Sequence, residues 1–385
     1  MITALTERAR EFGLRAANLV DGLDEDRAAR RALDLLAEAD LLGWTVPESY
    51  GGAAKGDLAA HGEVSVRALC ALRDELAWHS GMLDVMFVMQ GLGSYPLVLG
   101  GSDDLCGAIL PDVARGKQVA AFAVTESGAG SSLGEVQLRA EQEGDGWRLN
   151  GAKTFISNAG IASFYTVLAR TTTDADARGD GALTMFFVPA TLKGLEVKRF
   201  EVMAPHPIGE VILNDVMVPD AHRLGEVGSG LTVALGTLSR FRTSVAAAAN
   251  GFSRRALHES IEHLDGREQF GKPLSAFQGL RFDLAEMDAR LRAAQLLTAE
   301  AANVLDAGGD ATAEVARAKL TATETASWIC DRAVQHHGGL GVKRGVMVER
   351  LFRDVRALRI YEGTSEIQKL ILAKAVLERA RANRD

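Results

Sequence analysis

The chain has 385 residues, 47% of them hydrophobic and 24% charged, enough to bury a large core and to form two or three domains. A formal net charge of −8 and a pI near 5.6 exclude a broad electrostatic grip on nucleic acid or on an anionic membrane surface. The three cysteines, Cys70, Cys106 and Cys330, are odd in number and far apart; this spacing excludes a disulfide framework and a CxxC metal site and fits a reducing cytoplasm.

The N-terminus, MITALTERAREF, is charged and amphipathic, unlike a signal peptide. Through residues 4–116 the pattern is helical: ARRALDLLAEADLLGW repeats apolar residues at i, i+3, i+4 and i+7, VPESYGG breaks it, and helical spacing returns over residues 57–91. The apolar run at residues 82–99 is interrupted by Asp84, Gln90, two glycines and a proline, so no membrane insertion is expected. From residue 119 the composition changes. QVAAFAVTE, GWRLNGAKTFISN, FYTVLARTT, LTMFFVPAT, GLEVKRFEV and GEVILNDVMVP are six short β-prone runs within about 100 residues, which predicts a compact antiparallel sheet or barrel. No GxGxxG occurs, so a Rossmann dinucleotide site has no support. Beyond residue 228 three or four long amphipathic helices predict a bundle. The expectation is an α+β chain with an N-terminal α-helical domain at 1–118, a middle β domain at 119–227 and a C-terminal α-helical bundle at 228–385.

Five stretches carry chemistry. AFAVTESGAGSS ends a strand at Thr125 and continues as a Gly-rich loop that reads either as a tight turn or as a backbone cradle for a polar ligand. NGAKTFISNAG begins with the hairpin signal Asn150-Gly151 and places Phe155 and Ser157 on one face, either as a core residue and a strand-edge hydroxyl or against a planar heterocycle. DGREQFGKPL reads as a helix stop, or as an arginine, Arg267, able to clamp a pyrophosphate. In VQHHGGLG the adjacent histidines His336 and His337 would point about 100° apart and chelate poorly, so a helix end is expected and no metal site. In IYEGTSEIQ, Ser365 and Gln368 match a capping box. Glu362 is then either a dipole-complementing acid or, beside Ile360 and Tyr361, a desolvated general base.

In their order and separations these five stretches resemble the acyl-CoA dehydrogenase family over nearly the whole chain. The resemblance implies an N-terminal helical domain, a β-barrel or sheet domain and a C-terminal four-helix bundle, binding FAD and oxidising an acyl-CoA thioester to the trans-2-enoyl thioester. It implies Glu362 as the base that takes the pro-R α-proton while flavin N5 accepts hydride. Phe122, Val124 and Thr125 would lie along the isoalloxazine, Phe155 would pack on it, and Ser157 would hydrogen-bond near N5. Arg267 and Phe270, reaching from a neighbouring subunit, would meet the pyrophosphate and adenine side. Gln278, Gln335, Gly338 and Gly339 would hold the adenosine half, with Thr364 and Glu366 at the pyrophosphate and ribose. Gly130, Ser131, Arg242, Tyr361 and Gly363 would face the substrate.

The same resemblance implies a homotetramer, at least a dimer, that passes electrons to an electron-transfer flavoprotein; the cytoplasmic expectation rests on the cysteines. Two departures stand out. Members that carry the base on an earlier helix have it where this chain has Phe241, which leaves Glu362, and Ser132 replaces the acid that usually ends the Gly-rich motif. Asp84 either reads a polar acyl group or faces solvent or a neighbouring helix. An oxidase, a dehydrogenase of carrier-protein-bound thioesters and a non-catalytic acyl-CoA-binding scaffold are the competing readings.

Overall fold

In the computed structural model, which describes residues 1–58, 60–172 and 181–382, five helices come first: α1 (Ile2–Val20), α2 (Glu25–Glu38), α3 (Val66–His79), α4 (Gly81–Gly100) and α5 (Asp103–Ala114). Short polar side chains set their starts. Asp24 accepts a hydrogen bond from the Arg27 N–H at 3.1 Å to cap α2, and Ser102 accepts from Leu105 N–H at 3.3 Å to cap α5. By length and composition α4 could cross a membrane, but 78% of its apolar window is buried within the protein, as in a core helix.

Eight strands follow: β1 (Ala120–Ala123), β2 (Arg139–Glu143), β3 (Gly146–Ser157), β4 (Phe164–Arg170), β5 (Leu183–Pro189), β6 (Leu195–Arg199), β7 (Ile208–Pro219) and β8 (Arg223–Leu224). They form one sheet in the order β6-β7-β3-β2-β4-β5-β8, with β1 beside β4. Most pairs are antiparallel, as expected, but β1 and β2 each run parallel to β4, so the sheet is mixed. The β2–β3 excursion between β1 and β4 is long enough to bring the chain back in the same direction. The predicted hairpin at Asn150-Gly151 is not a hairpin. Both residues lie inside β3, where the register against β7 shifts between Leu149 and Gly151. Gly151 has φ +143°, and a Cβ there would sit 2.9 Å from Leu138, so the Asn-Gly pair serves a bulge.

The remainder is helical: α6 (Gly230–Gly266), a hairpin of β9 (Glu268–Gln269) and β10 (Lys272–Pro273), then α7 (Gln278–Asp306), α8 (Thr312–His337), α9 (Met347–Arg356) and α10 (Ser365–Ala382). Contacts divide the chain into two compact units. The first comprises Met1–Arg15, Val66–Asp84 and Arg242–Asp385; the second comprises Ala16–Ser65 and Val85–Phe241. The first has a core of small and branched residues, such as Ala249, Met287, Ala322 and Val348 from four helices. The second has a sheet core that includes Trp147, Tyr165, Phe186 and Val211.

Candidate active site

In the first unit the residues around Glu362 form a clamped turn. Glu362 has φ +52° and Gly363 φ +92°. A non-glycine residue in the left-handed region is strained by about 1–3 kcal/mol and persists only where its surroundings hold it. Here three side chains catch the carbonyls of the turn. Lys319 Nζ donates to Tyr361 O at 3.1 Å and to Gly363 O at 2.7 Å, Arg242 Nε donates to Glu362 O at 2.7 Å, and Gln368 Nε2 donates to Gly363 O at 3.0 Å. A Cβ at Gly363 would lie 2.6 Å from Gln368 Nε2, so a side chain there would push aside the amide that holds the turn.

The capping box at Ser365–Gln368 needs correcting by one residue. Thr364 Oγ1 accepts from Ile367 N–H at 3.3 Å and is the cap, while Ser365 Oγ donates to Glu324 Oε1 at 2.6 Å. The reason is that the left-handed Gly363 ends the turn one residue earlier, which aims Gln368 back at the turn carbonyl.

Glu362 itself is half-buried, but its Oε2 is shielded from solvent and has no hydrogen-bond partner among the described residues. Burial raises the carboxyl above its ordinary value of 4.5; the positive charges of Arg73, Arg242 and Lys319 oppose that rise, and Asp84 adds to it. Lys319 is fully buried, and desolvation pushes its ammonium down to about 8 against the pull of Glu362.

Asp84 does not face solvent. It is 4% exposed and bound bidentately by Arg73 of α3, with Nε–Oδ1 and Nη2–Oδ2 both at 2.7 Å; Arg73 Nη1 also donates to Ser244 at 3.0 Å. This neighbouring-helix ion pair is close enough to Glu362 and Tyr361 to act on both electrostatically. Tyr361 is 41% exposed.

The other expected residues of this unit lie at its surface. Arg267 follows α6, and the β9–β10 hairpin turns through Phe270 (φ +53°) and Gly271 (φ +77°). Two positive φ values in a two-residue loop are the twist that suits a hairpin, so the stretch read as a helix stop also builds a tight hairpin. Phe270 is 92% exposed, and Gln278, Gln335, Gly338, Gly339 and Glu366 are exposed, with Thr364 half-buried. Gly338, φ +57°, ends α8 as expected of a helix terminus. His336 pairs with Asp283 at 3.2 Å, His337 with Ala333 O at 2.8 Å, and no group of three or more metal-ligating residues occurs among the described residues.

The second unit brings the Gly-rich loop and the end of β3 together. Lys153, fully buried, donates to Val124 O at 3.1 Å and to Glu126 Oε1 at 2.8 Å. Glu126 also accepts from Gln137 and Leu138 N–H at 2.7 and 2.9 Å. Burial lowers the Lys153 ammonium to about 8 despite Glu126. Above this anchor residues 126–129 make a tight turn, with reciprocal Glu126–Ala129 backbone bonds of 3.1 Å. Gly128, Gly130 and Ser131 are exposed, so the loop is a turn and an open edge at once.

Thr125 O accepts from Thr154 N–H at 2.9 Å, and Phe122 and Val124 are buried. Phe155 is 63% exposed with φ +56°, and it meets Phe200 edge-on at 5.2 Å. It lies in a register irregularity between Lys153 and Ile156, so it is no core residue. Beyond the buried Ile156, the Ser157 hydroxyl lies 3.1 Å from His206 Nε2. Phe241 is buried edge-on to Tyr95 at 5.5 Å.

Sequence reasoning missed Lys319, Arg73 and His206. Lys319 left a signal, a cation on the stripe Val315, Ala318, Ala322, Ala326 of an otherwise apolar helix face. Arg73 had a partner at Asp84 but no fixed spacing to it. His206 sits in a segment between strands and left none.

Three family models match the chain: acyl-CoA dehydrogenase N-terminal domain over residues 3–117, middle domain over 121–216 and C-terminal domain over 228–377. Among curated relatives, a 3-(aryl)acrylate reductase of Clostridium sporogenes is 36% identical, covering 89% of each chain. A caffeyl-CoA reductase-Etf complex subunit of Acetobacterium woodii is 34% identical over 96% of this chain and 97% of that protein. Among solved structures, butyryl-CoA dehydrogenase from Megasphaera elsdenii superposes with a TM-score of 0.88 at 30% identity, covering 98% of both.

Proposed function

The chain belongs to the acyl-CoA dehydrogenase family, whose members are FAD-dependent oxidoreductases acting on acyl-CoA, and from that premise we propose that it interconverts an acyl-CoA thioester and its trans-2-enoyl thioester with Glu362 as the α-proton base. The observation that carries this reading is the buried, unpartnered Glu362 Oε2 on a strained and clamped turn. An acceptor left without a partner in a desolvated place is costly unless a proton comes to it. Burial raises its basicity toward that of an α-carbon acidified by a thioester, and the fixed cations keep the carboxylate accessible.

The residues at the end of β3 fit a flavin: an exposed Phe155 held outward by its backbone offers a stacking face, and Ser157 offers a hydroxyl two residues on. Phe122, Val124, Thr125, Phe155 and Ser157 would hold the isoalloxazine. Gln278, Gln335, Gly338, Gly339, Thr364 and Glu366, with Arg267 and the 92% exposed Phe270 from a second subunit, would hold the adenosine diphosphate half. FAD, when bound, supplies the acceptor for the hydride that leaves the β-carbon. Gly130, Ser131, Tyr361, Gly363 and Arg242 would border the thioester, and Arg242 also fixes the carbonyl of the base itself. An electron-transfer flavoprotein is the proposed electron partner, in line with the relative that is a subunit of a caffeyl-CoA reductase-Etf complex, and the assembly is proposed as a homotetramer.

The test is anaerobic mixing of the yellow protein with a panel of acyl-CoAs, watching bleaching of the flavin. The dithionite-reduced protein is mixed with 2-enoyl-CoAs, including aryl ones, because two relatives are named as reductases. Bleaching by at least one thioester, slowed by a factor of about 10²–10⁴ in Glu362→Gln, is expected. Equal bleaching in both proteins would place the base elsewhere.

A further inference from the structure

His206 lies outside every motif used above, yet its imidazole is fully engaged. Nδ1 sits 2.9 Å from Ala204 O, and Nε2 sits 3.1 Å from Ser157 Oγ. A carbonyl can only accept, so Nδ1 carries the ring proton. In the neutral ring Nε2 is then bare and accepts, and the Ser157 O–H is its hydrogen-bond donor among the described residues. Ser157 therefore spends its single proton on His206, and what its oxygen keeps for any other neighbour is lone pairs. A serine whose proton is free can donate or accept; this one is held as an acceptor.

We propose that His206 is a positioning residue that fixes the Ser157 hydroxyl as a hydrogen-bond acceptor and so favours a ring nitrogen that carries a proton over one that does not. This rests on the reading above that Ser157 lies near flavin N5. There the distinction is chemical: N5 is protonated in the reduced flavin and bare in the oxidised one. A neighbour that can only accept pairs with the reduced form and is left facing a lone pair in the oxidised form. The imidazole thereby raises the tendency of the bound flavin to take electrons, through the serine and without touching the cofactor.

The direction reverses if the ring is protonated, because Nε2 then donates to Ser157 and the serine proton is released outward. Burial pulls the His206 imidazolium below its ordinary value; the Ala204 carbonyl and Glu25 oppose that pull, and Arg199 adds to it. Arg199 is itself paired with Glu25 and Asp26. The acceptor state is therefore the one present at neutral pH, and it is lost only as pH falls below the usual histidine range.

The test measures the midpoint potential of the flavin-loaded protein rather than turnover. His206→Ala should lower it by the equivalent of about a tenfold change in the reduced-to-oxidised ratio, about 30 mV for a two-electron couple. Ser157→Ala should lower it comparably, and adding His206→Ala to Ser157→Ala should change nothing further, since the histidine acts only through the hydroxyl. A His206→Ala potential equal to the native one, or an equal shift with and without Ser157, overturns the proposal. The native protein offers a second measurement that needs no altered fold. Its potential plotted against pH should show an inflection below about pH 6.5 that Ser157→Ala lacks, and matching curves would also overturn it. Flavin content separates the two levels. A protein that binds no FAD defeats the functional reading itself, whereas one that binds FAD with no shift defeats only the role of His206.

Discussion

At Glu362–Gly363 and at Phe270–Gly271 the chain makes the same backbone move, two consecutive positive φ values, 52° and 92° in one and 53° and 77° in the other. Both steps join a large residue to a glycine, and both belong to the helical unit. Their surroundings are opposite. Every carbonyl from Tyr361 to Gly363 is caught by a side chain, and the Glu362 carboxylate feels the charges of Arg73, Arg242 and Lys319. Phe270 is 92% exposed, and a Cβ on Gly271 would meet nothing within 4 Å. The same local strain therefore serves two ends. In the clamped turn it comes with a rigid support around the Glu362 carboxylate; in the hairpin it presents a side chain outward and needs only the geometry of a tight loop.

The largest effect that can break this contrast is Glu362→Gln, with turnover down by about 10²–10⁴. Stability should not fall with it. A carboxyl whose folded value lies above 4.5 binds its proton more readily in the folded state, so its contribution is most favourable below 4.5 and is lost as pH rises through the folded value. Removing it should leave thermal unfolding at pH 7 unchanged or shifted upward, and a clear drop would mean that the carboxylate is a structural group instead.

Next comes Asp84→Asn, which strands Arg73 in the interior and should cost about 3–5 kcal/mol in a denaturant titration. It also removes a negative charge that raises Glu362. The acid limb of the kcat/KM profile lies above 4.5 in the native protein and should move to lower pH in the variant. A limb that stays in place would disconnect Asp84 from the base.

Lys319→Met withdraws a donor from two turn carbonyls; Gly363 O keeps Gln368, whereas Tyr361 O loses its side-chain donor, at a cost of about 1–3 kcal/mol. We expect kcat to fall with little change in flavin binding, and a change in KM alone would argue that the clamp does not aim the base. The smallest effects come from repeating one substitution at both glycines. Gly271→Ala meets open space and should cost about 1 kcal/mol for its left-handed φ. Gly363→Ala carries the same backbone penalty and also drives a methyl to 2.6 Å from Gln368 Nε2, so it should cost more and reduce activity. Equal costs at the two sites would show that the Glu362 turn relaxes freely.

The α–β–α order of elements was legible because hydrophobic periodicity changes from 3.6 to 2 and back along the chain. The five motifs were legible because their glycines and charges are local. Errors arose where a local signal has two uses. Asn150-Gly151 suits a hairpin and a bulge alike, and pairing with β7 selected the bulge. The SEIQ stretch suits a cap at Ser365, but Gly363 moved the cap to Thr364. Asp84 was open between a polar acyl group and solvent or a neighbouring helix, and the structure selects the helix, where its partner Arg73 lies eleven residues earlier.

What the sequence by itself determined is therefore the elements, the chain's family resemblance and the position of the acid proposed as the base. The tertiary structure alone decided that Glu362 Oε2 is shielded from solvent, that Lys319, Arg242 and Gln368 hold its turn, and that His206 lies within hydrogen-bond reach of Ser157. The division has one physical cause. Backbone preference and hydrophobic period act between neighbours in the chain, whereas desolvation and hydrogen-bond pairing depend on groups that only folding brings within a few ångströms.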